Sequence, residues 1–585
     1  NMAETLISPG VLARENDISF IAPSAIEAGA AILGPTVKGP VEEPTKVTSY
    51  AQYVNMFGTT FPSGSTKQEF LTSIAVKSYF NQGGNSVIVT RVVTGSFGTA
   101  SNTAVAADDA GAAPFTLSTL GKGSIYNNVT GSSYNEVGYD ENSDGSIKSG
   151  SADNLRWEIV NQDKVNGTFG LLIRRGDDNS KNKIILETWN DLSLDPNSEN
   201  YIESVIGNQS KSKAVDNGQY YITSAGEYIN RSKYIRVSGV ARQTLDYLAN
   251  DGINVRVATS TGSLPTAQSG SFHGATGDNV VGGSTRDKYF GDINGTDSQG
   301  LTGACYSDAI SILGNQDEYV YNIISAPGLL YEFGDHKTSL DSIISTAESR
   351  GDAIAVIDVQ NYGATVANAT GTAGTLNSSY AATYWPWLQT QSATGKNVWI
   401  PASVVIPGVY AFTDGAAAPW FAPAGLTRGG LGNVIQAERK LTRSQRDTLY
   451  NANVNPIATF PGSGISVFGQ KTLQKKKSAL DRVNVRRLLI DLKKFLGDVG
   501  KTLVFEQNTI ATRNGFLATV NPYLESVVQR QGLYAYRIVM DDSNNTPDTI
   551  DRNQLIGQVF IQPAKTVEFV VLDFTIEPTG ATFGA

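Results

Sequence analysis

Four aspartates, Asp541, Asp542, Asp548 and Asp551, fall within eleven positions of the stretch YAYRIVMDDSNNTPDTIDRNQLIGQVFIQP. Carboxylates so close together can do acid–base work or hold a hard cation. The residues around them assign these four to turning the chain instead. YAYRIVM alternates as a strand, and DDSNN has turn composition. Thr546 and Pro547 open a short helix, with Asp548 and Asp551 in its first turn, where the dipole favours negative charge. IGQVFIQP is the returning strand.

The other groups that could carry chemistry are few. His273 and His336 are the only histidines and Cys305 the only cysteine, so catalytic triads, histidine acid–base pairs and zinc sites lack the residues they need. Cys305 reads as a small buried hydrophobe. The run QSATGKN, Gln391 to Asn397, invites comparison with a phosphate-binding loop. It fails because Thr390 stands where the first glycine belongs and Asn397 where a magnesium-holding hydroxyl belongs. In DENSDGSIKSGS, Asp140, Asn142 and Asp144 alternate ahead of Gly145, as in the front half of a calcium loop. The twelfth position is Ser151 rather than a bidentate acid, so a polar loop turned by Asp144 and Gly145 is the competing reading. No cofactor and no enzymatic activity are expected.

The elements that must position such residues belong to several cores, since 585 residues exceed one domain. The net charge is −9, which argues against nucleic-acid binding. From Arg428 to Lys501, however, fifteen basic residues face five acids, a local balance of +10, so the rest of the chain carries −19. A single cysteine permits no intrachain disulfide, and neither a membrane-spanning run nor a signal segment is expected.

The pattern along the chain predicts an α+β, α/β multidomain protein. Residues 1–22 read as an extended arm, with Ile18 and Phe20 alternating and nothing local to pair with. Residues 23–95 and 300–425 alternate strand and helix as an α/β body. AAILGP, SVIVTRVV, EYVYNIISAP and DAIAVIDV are its strands, the last of the nearly all-apolar kind buried on both faces. KQEFLTSIAVKSYFNQGG and SLDSIISTAESRG are its helices. Residues 96–299 are rich in Gly, Ser, Asn and Asp and read as β-rich surface insertions. Residues 426–585 form a compact C-terminal unit. In it Val485, Leu488, Leu489, Leu492, Leu496 and Val499 make one apolar stripe, with Arg486, Lys493 and Lys494 near the polar side. NPYLESVVQRQG predicts a helix capped by Asn521 with Pro522 in its first position. The tail, about 566–585, is a second extended arm whose strand carries Phe569, Val571, Phe574 and Ile576. Residues 541 to 585 hold seven acids against Arg552 and Lys565. Opposite charge on separate parts of one chain suits contacts between copies or with an acidic partner.

Several long stretches resemble the tail sheath protein of contractile-tailed, myovirus-type bacteriophages. They are GKNVWIPASVVIPGVYAFTD, APAGLTRGGL, NPIATFPGSGISVFGQKTL, RRLLIDLKKFLGDVGKTLVFEQNT and NPYLESVVQRQGLYAYRIVMDDSNNTPDTIDRNQLIGQVFIQPAKTVEFVVLDF. SPGVLARENDIS, GAAILGPTVKGP, FNQGGNSVIVTRVV and ETWNDLSLDP are similar to the same family. The loops around 96 to 155 and 250 to 300 do not match it.

The resemblance implies a structural subunit that polymerises helically around a tail tube and contracts to drive the tube through the host envelope. Its terminal arms would add strands to neighbouring copies. The partners implied are further copies of the chain, the tube protein, and baseplate and tail terminator proteins, with no membrane or direct nucleic-acid contact. The place implied is the virion tail, assembled in the host cytoplasm. Arg486, Lys493 and Lys494 are then expected to face the tube. Two other readings stay open at this point: the sheath of a headless contractile particle, and a β-rich surface-binding protein.

Overall fold

A computed structural model of the chain describes residues 26–63, 66–101, 107, 113–126, 141–148, 150–248, 258–278 and 289–568. The arm residues Ile18, Phe20, Phe569, Val571, Phe574 and Ile576, and Asp140 of the calcium-like loop, lie outside the described residues.

The body is built on one eight-stranded sheet. Its strands in chain order are β1 (Ala30–Gly34), β2 (Thr45–Val47), β3 (Val87–Arg91), β4 (Ile323–Leu330), β5 (Ile354–Asp358), β6 (Ala381–Trp385), β7 (Asn455–Phe460) and β8 (Gly464–Val467). In space they run β8-β7-β6-β5-β4-β1-β3-β2. The six inner strands are mutually parallel, and the two edge strands are antiparallel to their neighbours. Helices cover both faces, α1 (Leu71–Asn81) on one and α2 (Gly334–Arg350) on the other. That explains the unbroken apolar strands. Along β1, Ala30 and Ile32 enter one core while Ala31 and Leu33 enter the other, and β5 divides Ile354 and Val356 from Ala355 and Ile357 in the same way.

The expected boundaries of the body move at both ends. Tyr289 gives its hydroxyl proton to the Glu69 carbonyl at 2.8 Å, and Gln299 Oε1 accepts from Leu71 N–H at 2.8 Å, so residues 289–299 pack as body rather than insertion. At the other end β7 and β8 extend the sheet beyond 425. Tyr384 of β6 lies in register with Asn455, and Asn455 Nδ2 donates to the Thr383 carbonyl at 3.1 Å.

The insertion has its own core, in which Trp157, Phe115, Phe169 and Leu171 are buried. It contains a four-stranded and a three-stranded sheet, with a separate two-stranded hairpin. That hairpin, Ser210–Asp216 with Gln219–Ala225, turns at Asn217 and Gly218, both at positive φ (49° and 79°), the pair a type I′ turn requires. Lys213 ties it to the body through Glu42 at 2.7 Å and Asp308 at 2.5 Å.

The C-terminal unit consists of α3 (Val483–Lys501), α4 (Ile510–Gln529), and an antiparallel hairpin of β9 (Leu533–Val539) and β10 (Gln558–Pro563). The predicted stripe forms from Leu488 onward: Leu488 and Leu492 are buried with Trp420, Phe516, Val520, Leu524 and Val527, Leu489, Leu496 and Val499 pack around them, and Val485 is buried outside this core. The expected start of α4 is corrected. Thr509, not Asn521, caps the helix, and Pro522 lies inside it. Phe516, Val520, Leu524 and Val527 recur at helical spacing and carry the helix through the proline. Pro522 and Ala518, whose carbonyl loses its partner, are both exposed, so water can satisfy that oxygen.

Candidate assembly surface

The aspartate-rich stretch turns the chain as its composition predicts, except that Asp551 ends the short helix and only Asp548 lies in its first turn. Asp541 closes the turn after β9, accepting at Oδ1 from Ser543 N–H at 2.9 Å, and Asn545 clamps the return by exchanging two hydrogen bonds with Ile556 at 2.8 and 2.9 Å. The Ser543 hydroxyl and amide hold the Asp541 carboxyl below its ordinary range. Pro547 opens the helix Pro547–Asp551. Asp542 pairs with Arg513 at 2.7 Å and Asp548 with Arg552 at 3.0 Å, so the four acids converge on no common point.

These contacts present the β9–β10 hairpin as a small two-faced sheet. Tyr536 opposite Ile561 and Ile538 opposite Val559 turn toward the unit's core, and Arg537 opposite Phe560 turns outward. Among the described residues no third strand pairs with either long edge. Large apolar side chains lie beside those edges: Tyr534 is 66% exposed and Phe560 56%. Open edges flanked by exposed apolar groups are templates for an added strand.

The other sequence-predicted residues fall apart as sites. Asn142 Nδ2 donates to Ser146 Oγ at 3.0 Å, and Asp144 Oδ1 accepts from Ser146 N–H at 3.0 Å, which is an Asx turn. Among the described residues no three His, Cys, Asp or Glu side chains are grouped as metal ligands would be. Gln391 to Asn397 is the tight hairpin between strands Leu388–Gln391 and Asn397–Ile400. His336 is fully buried, its Nδ1 accepting from Leu330 N–H at 3.3 Å, and burial lowers its pKa. No described helix is long and apolar enough to cross a membrane.

The basic side of α3 is corrected in part. Arg486 is 4% exposed, with its guanidinium 4.0 Å from the Tyr380 ring and Nε donating to the Ser379 carbonyl at 3.1 Å. Lys493 donates to the Tyr380 hydroxyl at 3.0 Å, and Lys494 pairs with Glu27. Arg487 is held by Asp414 and lies over Tyr410. Arg486 and Arg487 are therefore buried against the body, while Lys493 and Lys494 reach it from exposed positions. Helical spacing placed Arg486 next to the polar side but held no information about Tyr380, over a hundred residues away. Sequence reasoning also missed Glu568, whose carboxylate lies against Arg482, Tyr450 and Gln470. Partners so distant along the chain leave no local signal.

Residues 299–473 match the model of a family described as phage tail sheath protein central domain. Tail sheath proteins of Vibrio phage KVP40 and Enterobacteria phage T4 are similar to the chain. Identity is 38% over 188 residues for the first and 39% over 187 for the second, in each case 32% of this chain. The chain spans 28% of the length of these curated relatives. A crystal structure of a sheath tail protein from Listeria innocua shares the fold, with a TM-score of 0.50 at 11% identity over 92% of this chain and 96% of that one. Residues 299–473 thus match the central domain of the phage tail sheath proteins, within an α+β multidomain fold of the kind seen in a sheath tail protein.

Proposed function

We propose that this chain is the structural subunit of a contractile tail sheath, polymerising helically around a tail tube and driving it through the host envelope by contraction. One observation carries the reading: the β9–β10 hairpin keeps both long edges without a strand partner among the described residues, in a chain whose residues 299–473 match a tail sheath central domain. Strands from the terminal arms of other copies, centred on Ile18 and Phe20 and on Phe569, Val571, Phe574 and Ile576, add to those edges. A contact of this kind that does not close on itself generates a filament. Work comes from the difference in free energy between two lattices, with no catalytic step. Tube, baseplate and terminator proteins are the further partners, in a virion tail assembled in the host cytoplasm.

The tube contact rests on Lys493 and Lys494, which stay exposed beside their partners, while Arg486 holds the unit to the body. Exposed, salt-sensitive charges suit a surface that must later let go.

Electron microscopy of negatively stained full-length chain tests the reading. Striated hollow cylinders are expected, and their loss on removing residues 1–25 or 569–585 while the chain stays folded. Small uniform particles at all concentrations would overturn it.

A further inference from the structure

After β10 the chain does not hang free. Ala564 N–H donates to the Gly532 carbonyl at 3.0 Å, and Gln470 Nε2 donates to Thr566 Oγ1 at 2.6 Å. Two residues on, Glu568 takes a two-pronged bond from Arg482, with Nε to Oε1 at 2.6 Å and Nη2 to Oε2 at 3.0 Å. The Tyr450 hydroxyl donates to Oε2 at 2.8 Å and Gln470 Nε2 to Oε1 at 3.2 Å. Between these anchors Val567 is 81% exposed, so the segment is held by polar contacts and not by burial of its apolar side chain.

The donors come from different places in the fold. Tyr450 lies on the helix Arg443–Asn451, Gln470 follows β8, and Arg482 immediately precedes α3. Arg482 and Lys471 both lie against the Tyr450 ring, at 5.8 and 4.2 Å, so the carboxylate sits in a preformed basic and aromatic cradle. Burial opposes its charge, but the bonds from Arg482, Tyr450 and Gln470 outweigh that and hold the carboxyl below its ordinary range.

We propose that Glu568 is a positioning residue, a latch that fixes the point and direction from which residues 569–585 leave the subunit. The latch ties the departing segment at once to Tyr450 and Gln470 beside the body's sheet and to Arg482 at the start of α3. The consequence for assembly rests on the strand-exchange reading above. The latch itself does not, because it is a contact within one chain.

The experiment uses dissociated full-length chain and chymotrypsin, following the cut after Phe569 by mass spectrometry. A protease needs several extended residues on either side of the bond it cuts, so Thr566 to Glu568 must lift out first. Charge-assisted bonds of this kind make Glu568→Gln open about tenfold more often, and cleavage quicken by that factor. Arg482→Lys, which keeps the charge but loses the fork, is expected to give a smaller increase. Raising salt is expected to speed the wild-type cut more than the Glu568→Gln cut. Equal cleavage of wild type and Glu568→Gln, with both chains folded by circular dichroism, overturns the latch. Faster cleavage of the variant from a wild-type chain that never forms cylinders supports the latch and overturns the assembly reading. Faster cleavage together with fewer or shorter cylinders supports both.

Discussion

Arg486 shows how one side chain can change role between a helical wheel and a packed structure. Its guanidinium is stacked on Tyr380 and bonded to Ser379, so truncation removes packing and leaves partners unsatisfied. Arg486→Ala is expected to lower stability by about 2 kcal/mol, read by denaturant titration. Lys494 and Glu27 have side chains 44% and 63% exposed. Lys493→Glu combined with Lys494→Glu is therefore expected to shift stability by under ~1 kcal/mol, while abolishing sheath formation on preformed tubes. Normal coating of tubes by that double variant would remove these lysines from the tube contact.

Asp358 offers a second test at this scale. Burial raises its carboxyl to about 7, against the opposing hydrogen bonds from Ser403. The unfolded chain ionises this group near pH 4, whereas the folded chain keeps the proton until about 7. The unfolded state binds fewer protons across that window, so stability must fall as pH rises through it. Asp358→Asn keeps the shape without the titration. Between about pH 4 and pH 7, the stability of wild type relative to this variant is expected to decline by a few kcal/mol, with a slope approaching about 1.4 kcal/mol for each pH step of one. A flat difference would show that the carboxyl ionises normally.

At the scale of elements, the parts with strong periodicity were legible. β1, β3 and β5 are apolar on both faces, α2 and α3 follow their stripes, and the Asp541–Asp551 stretch turns as its residues prescribe, because each is decided by neighbours within a few positions. Two features escaped for the opposite reason. β7 and β8 look like strands of the C-terminal unit until their register with β6 is known. Pro522 looks like a helix start until Phe516 and Val520 are seen to be packed. The candidate surface was half legible, with the hairpin plain in sequence and its long-range anchors at Arg482 and Tyr450 hidden. Because Pro522 breaks a hydrogen bond on an exposed face, Pro522→Ala is expected to stabilise the C-terminal unit by about 1 to 3 kcal/mol. Unfolding midpoints measured in urea would show it, and a loss of stability would mean that the proline fixes a bend the packing requires.

For the whole molecule, the separate hydrophobic clusters decide what unfolds together. The insertion buries Trp157, Phe115 and Phe169 in a core shared with no strand of the eight-stranded sheet. The helix α3 does the reverse. Val483 and Ile490 enter the body's core while Leu488 and Leu492 enter that of the C-terminal unit, so neither core survives loss of that helix intact. The buried Arg487 pairs with the partly exposed Asp414 across the same joint, and removing Asp414 would leave that guanidinium a costly orphaned charge. Body and C-terminal unit are therefore expected to unfold in one cooperative step, with the insertion opening at a separate free energy. Native-state hydrogen exchange in increasing denaturant distinguishes the cases. Amides of α3, α4 and β4 to β6 should merge into a single isotherm, while those of Leu155–Asp163 and Thr168–Arg175 follow another. If α4 exchanged well before β5, the C-terminal unit would be an independent module.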